Sequence, residues 1–270
     1  MLGSLVDRVF EAADSIRRMS HTPPQLTHSV TDGVATVVID HAAKRNAMTD
    51  GMWRSLPPLL AELDADPAVR VLVLTGAGGT FCAGADISTL GEAGSRAQDL
   101  AVAAEEALAA FAKPTLAAVR GYCVGGGCQL AAACDLRFAA ESALFGITPS
   151  KLGIVYPAGS TRRLASLVGP STAKYLLFSG ELIAAERALR TGLVDEVLAE
   201  DELDKRVGEF ARILGERSQL TQAAAKEFAD GRVERAAHWA EQARTSGDTA
   251  EGVAAFLERR KPSFTWTTSG

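Results

Sequence analysis

Apolar residues fall in short runs through the first two-thirds of the chain and at helical spacing through the last third. Residues 25–30 and 34–40 flank the turn Thr31-Asp32-Gly33, which predicts a β-hairpin. Residues 69–75, 115–119 and 135–139 are rich in aliphatic side chains and predict buried strands, and 143–145 predicts a further short one. Thr49 and Asp50 can cap a helix reaching Leu63, in which Pro57-Pro58 predicts a kink or a break. Residues 90–99 are polar and contain glycine, so they predict a loop or short helix; 100–111 predicts an alanine-rich helix stopped before Pro114. After Leu164, residues 171–178, 184–191, 202–215, 221–230 and 249–261 predict helices, and only 193–198 predicts a strand. That order predicts an α/β core of ββα-like units over residues 25–195, a helical region over 196–264 and a tail over 265–270.

Residues 1–24 form an N-terminal extension. Leu5, Val6, Val9, Phe10, Ala13 and Ile16 recur at helical spacing, while Asp7, Glu11 and Asp14 interrupt any secretory signal. The segment reads either as a short docking helix or as an extension upstream of the domain, and it is expected to pack loosely.

With 47% hydrophobic and 23% charged residues the chain is globular in composition. A net charge of -5 gives no basic footprint for nucleic acid, and no apolar run is long enough to span a bilayer. Cys82, Cys123, Cys128 and Cys134 all lie in apolar, glycine-rich surroundings, without a Cys-x-x-Cys pair and far in sequence from the histidines. They read as buried free thiols of a reducing, cytoplasmic compartment rather than disulfides or metal ligands.

The candidate chemistry sits at two strand-to-loop junctions. Residues 115–119 lead through Arg120-Gly121-Tyr122-Cys123-Val124 into Gly125-Gly126-Gly127 and then a helix of small residues. Glycine lets a ligand approach the backbone, and the first N–H groups of a helix have no internal partner. Such a junction can hold negative charge developing on an oxygen; it can equally be a tight turn that lets helix and sheet pack. Phe81-Cys82-Ala83-Gly84-Ala85-Asp86 follows another predicted strand in the same way, so two junctions could aim two donors at one oxygen. Residues 71–79 suggest a dinucleotide fingerprint, but its third glycine would fall at Phe81, and no P-loop is present.

Lys44-Arg45-Asn46-Ala47-Met48, Phe81 to Ile87, Gly121 to Ala131, Cys134-Asp135-Leu136 and Phe256 to Phe264, in that order and spacing, resemble the crotonase superfamily of enoyl-CoA hydratases, isomerases and their relatives. The resemblance covers residues 25–264. It implies a spiral of ββα units with a C-terminal helical trimerisation region, assembled as a homotrimer or hexamer. It implies an acyl-CoA substrate and no cofactor beyond the coenzyme A which that substrate carries. By position, the thioester oxygen would lie between the N–H groups of Ala85 and Gly126. Coenzyme A would run along Ala43, Lys44, Arg45, Ala47, Ala83, Asp86 and Ile87, and Phe256, Arg259 and Lys261 match the segment that reaches it, often from a neighbouring subunit. Arg259 and Lys261 read equally as a solvated helix face.

The departures from the family pattern bear on the reaction. Hydratases of the family use two glutamates, whose positions here hold Gln129 and Pro149, so hydration by that route is in doubt. The glutamate of many family isomerases also falls at Pro149. The loop Thr148-Pro149-Ser150-Lys151-Leu152-Gly153-Ile154-Val155-Tyr156 is similar to that of methylmalonyl-CoA decarboxylases, which implies roles for Thr148 and Tyr156 in orienting a leaving carboxylate; those enzymes carry histidine where this chain has Ala85. Against these roles, Tyr156 reads as a core tyrosine, Gln129 as a partner of a neighbouring loop and Asp86 as a helix cap. Glu105 and Glu106 read as solvated, and Lys151 as surface. Three functions stay open: an enolate-forming hydratase or isomerase, a malonyl-type decarboxylase, and a coenzyme A-binding scaffold without activity.

Overall fold

The computed structural model describes residues 23–86 and 90–268, with side chains described for 23–86 and 98–268. The N-terminal extension up to residue 22 therefore lies outside the described residues. The hairpin is present as β1 (Gln25–Thr31) and β2 (Val34–Asp40), closed by Asp32 and Gly33, both at positive φ. α1 (Asp50–Ala65) starts at Thr49, whose side chain accepts from the Met52 N–H. The expected break at Pro57-Pro58 does not occur, and α1 runs through both prolines. Trp53, Leu56, Leu60 and Leu63 bury one face of it, and that packing outweighs the two missing N–H donors.

β3 (Val71–Gly76) is followed by α2 (Leu90–Ala109), a single helix where a loop and a shorter helix were expected. Then come β4 (Thr115–Val119), β5 (Tyr122–Val124), α3 (Gly126–Ala133), β6 (Leu136–Ala140), β7 (Leu144–Gly146) and α4 (Ala158–Ser179), which bends at Gly169-Pro170. The sequence pattern revealed only the second half of α4. β8 (Ile183–Ala184), α5 (Ala185–Thr191), β9 (Glu196–Leu198) and α6 (Leu203–Gly215) complete the sheets and their cover. The last helices are α7 (Gln219–Ala229), α8 (Ala236–Thr245), which was not foreseen, and α9 (Asp248–Glu258).

The large sheet has the order β1-β2-β3-β4-β6-β9, parallel except for the hairpin; β5, β7 and β8 form a small sheet. Each turn of the chain places one strand in the large sheet, one in the small sheet and a helix behind them: β4-β5-α3, then β6-β7-α4. The turn before it has the same form, because Cys82, after β3, bridges Cys123 of β5. This is the expected spiral of ββα units. β9 and α6, beyond residue 195, still belong to its layers.

The strands read as continuous apolar runs because both faces are covered. Val71, Val73, Leu116, Ala118 and Phe138 pack against Leu203, Val207 and Ala211 of α6. Their neighbours Leu72, Leu74, Ala117, Val119 and Ala139 point the other way, into the core shared with α1 to α4. Among the described residues no helix is long and apolar enough to cross a membrane.

The four thiols are free and fully enclosed. Burial pushes Cys82 and Cys134 up to about 12. Since the thiolate is the nucleophile, iodoacetamide at pH 8 is expected to leave all four cysteines of the native protein unmodified and to label all four in urea. Intact-mass spectrometry reads the difference.

Candidate active site

Two loops meet between the sheets. Residues 80–84 run beside β5: the Phe81 N–H donates to Arg120 O, the Cys82 N–H to Tyr122 O and the Val124 N–H to Cys82 O, all at 2.8–2.9 Å. The other flank of this segment pairs with residues 45–48. Ala83 N–H donates to Arg45 O at 3.0 Å, Met48 N–H to Gly84 O at 2.8 Å and Asp86 N–H to Met48 O at 2.9 Å. In a parallel bridge the neighbours of one residue make the bonds, so Ala85, which faces Met48, keeps its own N–H unpaired among the described residues.

The second unpaired donor is the N–H of Gly126, in the first turn of α3. Gly125 precedes it at φ 55 and ψ -118, a conformation that only glycine adopts readily. The two donors are neighbours. A methyl group at Gly126 would lie 3.6 Å from Ala85 N and 2.9 Å from Cζ2 of Trp53, and one at Gly84 would lie 3.4 Å from Gly126 N. Two half-buried, unpaired backbone donors thus converge beside the start of a helix. That arrangement can stabilise an oxygen as it gains negative charge.

Asn46 fixes one of the loops. It is fully buried; its Oδ1 accepts from His41 N–H at 2.9 Å, and its Nδ2 donates to Ala77 O at 2.8 Å and Thr80 O at 2.5 Å. The sequence motif contained Asn46, but its role as a clamp between two distant loops shows only in the fold. Beside it, Ala43, Lys44 and Arg45 are exposed. Lys44 forms an ion pair with Asp86 at 2.7 Å, and the Arg45 guanidinium lies 4.7 Å from the centre of the Tyr122 ring. Ala83 is half-buried, whereas Ala47 is buried, its carbonyl bonded by the His41 ring at 2.7 Å. Ile87 lies outside the described residues. Phe256 and Arg259 are exposed near the end of α9, and Lys261 pairs with Glu216 at 2.9 Å; within one chain no described hydrogen bond or ion pair joins these three residues to the junctions.

One turn along α3 from Gly126, Gln129 is buried and bonds not a loop but two helices. Its Nε2 donates to Glu105 of α2 at 2.6 Å and to Ser160 of α4 at 3.1 Å. The expectation that Glu105 is solvated is therefore wrong. Glu105 is 1% exposed and also accepts from the Ser160 hydroxyl and the Arg163 guanidinium, while Glu106 faces solvent. Adjacent helical residues point about 100° apart, so only one of the two glutamates can face the core. The missed signal lies in the spacing: Ala101, Ala104 and Leu108 are buried, and position 105 falls on their stripe.

Tyr156 packs its ring against the core, and its hydroxyl makes no hydrogen bond among the described residues. Burial, followed by the nearby Cys128 thiol and the Glu105 carboxylate, holds its phenol well above 10. Thr148 is half-buried where β7 leads into the turn at Pro149–Lys151, and Lys151 is exposed as expected.

The family model described as enoyl-CoA hydratase/isomerase matches residues 29–267. The chain is similar to the crotonyl-CoA hydratase of Syntrophomonas wolfei, 36% identical over 244 residues that cover 86% of this chain and 94% of that protein. It is also similar to the 2,3-dehydroadipyl-CoA hydratase of Escherichia coli, at 35% over 246 residues with the same coverage. A crystal structure of an enoyl-CoA hydratase/isomerase family member superimposes with a TM-score of 0.86 and 38% identity, covering 91% of this chain and 98% of that one.

The phenol of Tyr156 stays protonated, and so remains a hydrogen-bond donor, throughout the neutral range. Absorbance titration at 295 nm is expected to show the difference between wild type and Tyr156→Phe only above pH 10; a difference developing between pH 8 and 10 contradicts this.

Proposed function

Since the chain belongs to the enoyl-CoA hydratase/isomerase family, within the crotonase superfamily, we propose that it binds an acyl-CoA thioester with the carbonyl oxygen between the N–H groups of Ala85 and Gly126. The pair of converging, unpaired backbone donors carries this reading. Chemistry next to a thioester passes through an enolate, whose charge rests largely on that oxygen. Donors already in place stabilise the charge without reorganising. Coenzyme A follows the exposed lip of Ala43, Lys44 and Arg45 past Ala83, Asp86 and Ile87, with Ala47 supporting the lip from beneath. In a homotrimer or hexamer, the exposed Phe256, with Arg259 and Lys261, reaches coenzyme A bound by a neighbouring chain.

Hydration of a 2-enoyl thioester is the first reaction to test, because two relatives, 36% and 35% identical, are named as hydratases. Gln129 and Pro149 exchange no proton near neutral pH, so proton transfer runs through another group. The Tyr156 hydroxyl, protonated and without a hydrogen bond among the described residues, can donate a hydrogen bond to a water molecule or hydroxyl on the acyl chain. A second reading, decarboxylation of a malonyl-type thioester, draws support from the same facts. Loss of carbon dioxide generates the enolate without a base, and Tyr156 and Thr148 can orient the leaving carboxylate. A coenzyme A-binding scaffold is the third reading.

Turnover of crotonyl-, 3-enoyl-, methylmalonyl- and ethylmalonyl-CoA, followed by mass spectrometry, separates them. Hydration or isomerisation supports the first reading and carbon dioxide release slowed by Tyr156→Phe the second, whereas binding without any turnover leaves the scaffold. In either catalytic case Gly126→Ala is expected to reduce turnover by about 10²–10³-fold, the usual effect of losing one such donor, because its methyl would collide with Trp53. Full activity in that variant would falsify the donor pair.

A further inference from the structure

A carboxylate is costly to bury, and Glu105 is enclosed although the reaction proposed above makes no direct use of it. Its three partners restrict what it can do. Its Oε1 accepts from Arg163 and its Oε2 from Gln129 and Ser160, so both oxygens are taken up as acceptors. The oxygen and nitrogen ends of a glutamine amide are nearly isosteric, but only the NH2 end can face such an acceptor. One hydrogen of Gln129 Nε2 goes to Glu105, and the other goes to Ser160 Oγ, whose own hydrogen is directed at Glu105. The amide therefore cannot turn over. Its Oε1 has no partner among the described residues. Gln129 follows Gly126 by three residues, which puts both on the same face of α3.

We propose that Glu105 is a positioning residue that locks the Gln129 amide with its oxygen toward the acyl group, so that position 129 is a permanent hydrogen-bond acceptor. This rests on the reading that the thioester lies at Ala85 and Gly126. The ligand chemistry that fits is a donor near the third carbon of the acyl chain: a water molecule, or the hydroxyl of a 3-hydroxyacyl thioester. Such a hydroxyl can also accept from the Tyr156 phenol, which makes no other bond among the described residues. A malonyl carboxylate offers no donor to Gln129 Oε1. The lock therefore favours the hydratase reading over the decarboxylase one.

Calorimetric titration with 3-hydroxybutyryl-CoA and butyryl-CoA tests the lock, since the two ligands differ only in the hydroxyl. The wild type is expected to bind the hydroxy thioester about fivefold to tenfold more tightly, the worth of one hydrogen bond. In Glu105→Gln the new amide can present either end, Gln129 is free to turn, and the preference is expected to fall to about twofold or less with butyryl-CoA affinity unchanged. Ser160→Ala removes one of the two anchors and is expected to lower the preference partway; it carries the test if Glu105→Gln does not fold. A preference that survives in the variants, or an equal loss for both ligands, overturns the lock. Wild type that binds both thioesters without preference overturns it too and leaves the thioester reading standing, whereas no binding of either removes both.

Discussion

The close approach of two backbone segments, 80–84 and 120–127, is the constraint on which the rest of the site depends. It exists because the chain after β3 lies down beside β5 and pairs with it, N–H to carbonyl, through Cys82 and Cys123. Side chains have been cleared from the contact: a Cβ on Gly127 would lie 2.3 Å from Cys82 O, and one on Gly84 2.9 Å from Val124 O. With both segments held edge to edge, the two N–H groups left without a partner among the described residues end up beside each other. Asn46 and the pairing of residues 45–48 hold the outer flank in register. The donors are therefore in place before any ligand arrives, as the proposed stabilisation of charge requires.

Around that fixed pair the polar groups are arranged on a second principle, a buried charge that is fully partnered. Glu105 draws together α2, α3 and α4 through Gln129, Ser160 and Arg163. These bonds fix the rotamers of Glu105, Gln129 and Ser160, which apolar packing would leave free. Lys44 and Asp86 form a smaller pairing at the rim, where Lys44 stays half-exposed.

Much of this was legible in the sequence. The hairpin, the aliphatic strands and the two glycine junctions follow from local pattern, and the order of the motifs carried the family. Three features were hidden for identifiable reasons. Pro57 and Pro58 argue against a continuous helix locally, but the buried face from Trp53 to Leu63 overrides them. The first half of α4 is hidden by Gly169-Pro170 at its bend, since glycine followed by proline disfavours helix locally. Glu105 sat among alanines, where a charged residue suggests solvent, and its inward position required counting the stripe through Ala101, Ala104 and Leu108. Contacts between distant segments, such as Asn46 with residues 77 and 80, leave no trace in local pattern.

The groups proposed to hold charge belong to the main chain. Replacing the side chain at 85 changes the shape of the site but not its donor, and at 126 the donor is endangered only by bulk. The features proposed to select a reaction, at positions 105, 129, 149 and 156, are side chains that a single substitution can exchange. One scaffold can thus wander between neighbouring reactions by small mutational steps while the paired backbone donors are kept.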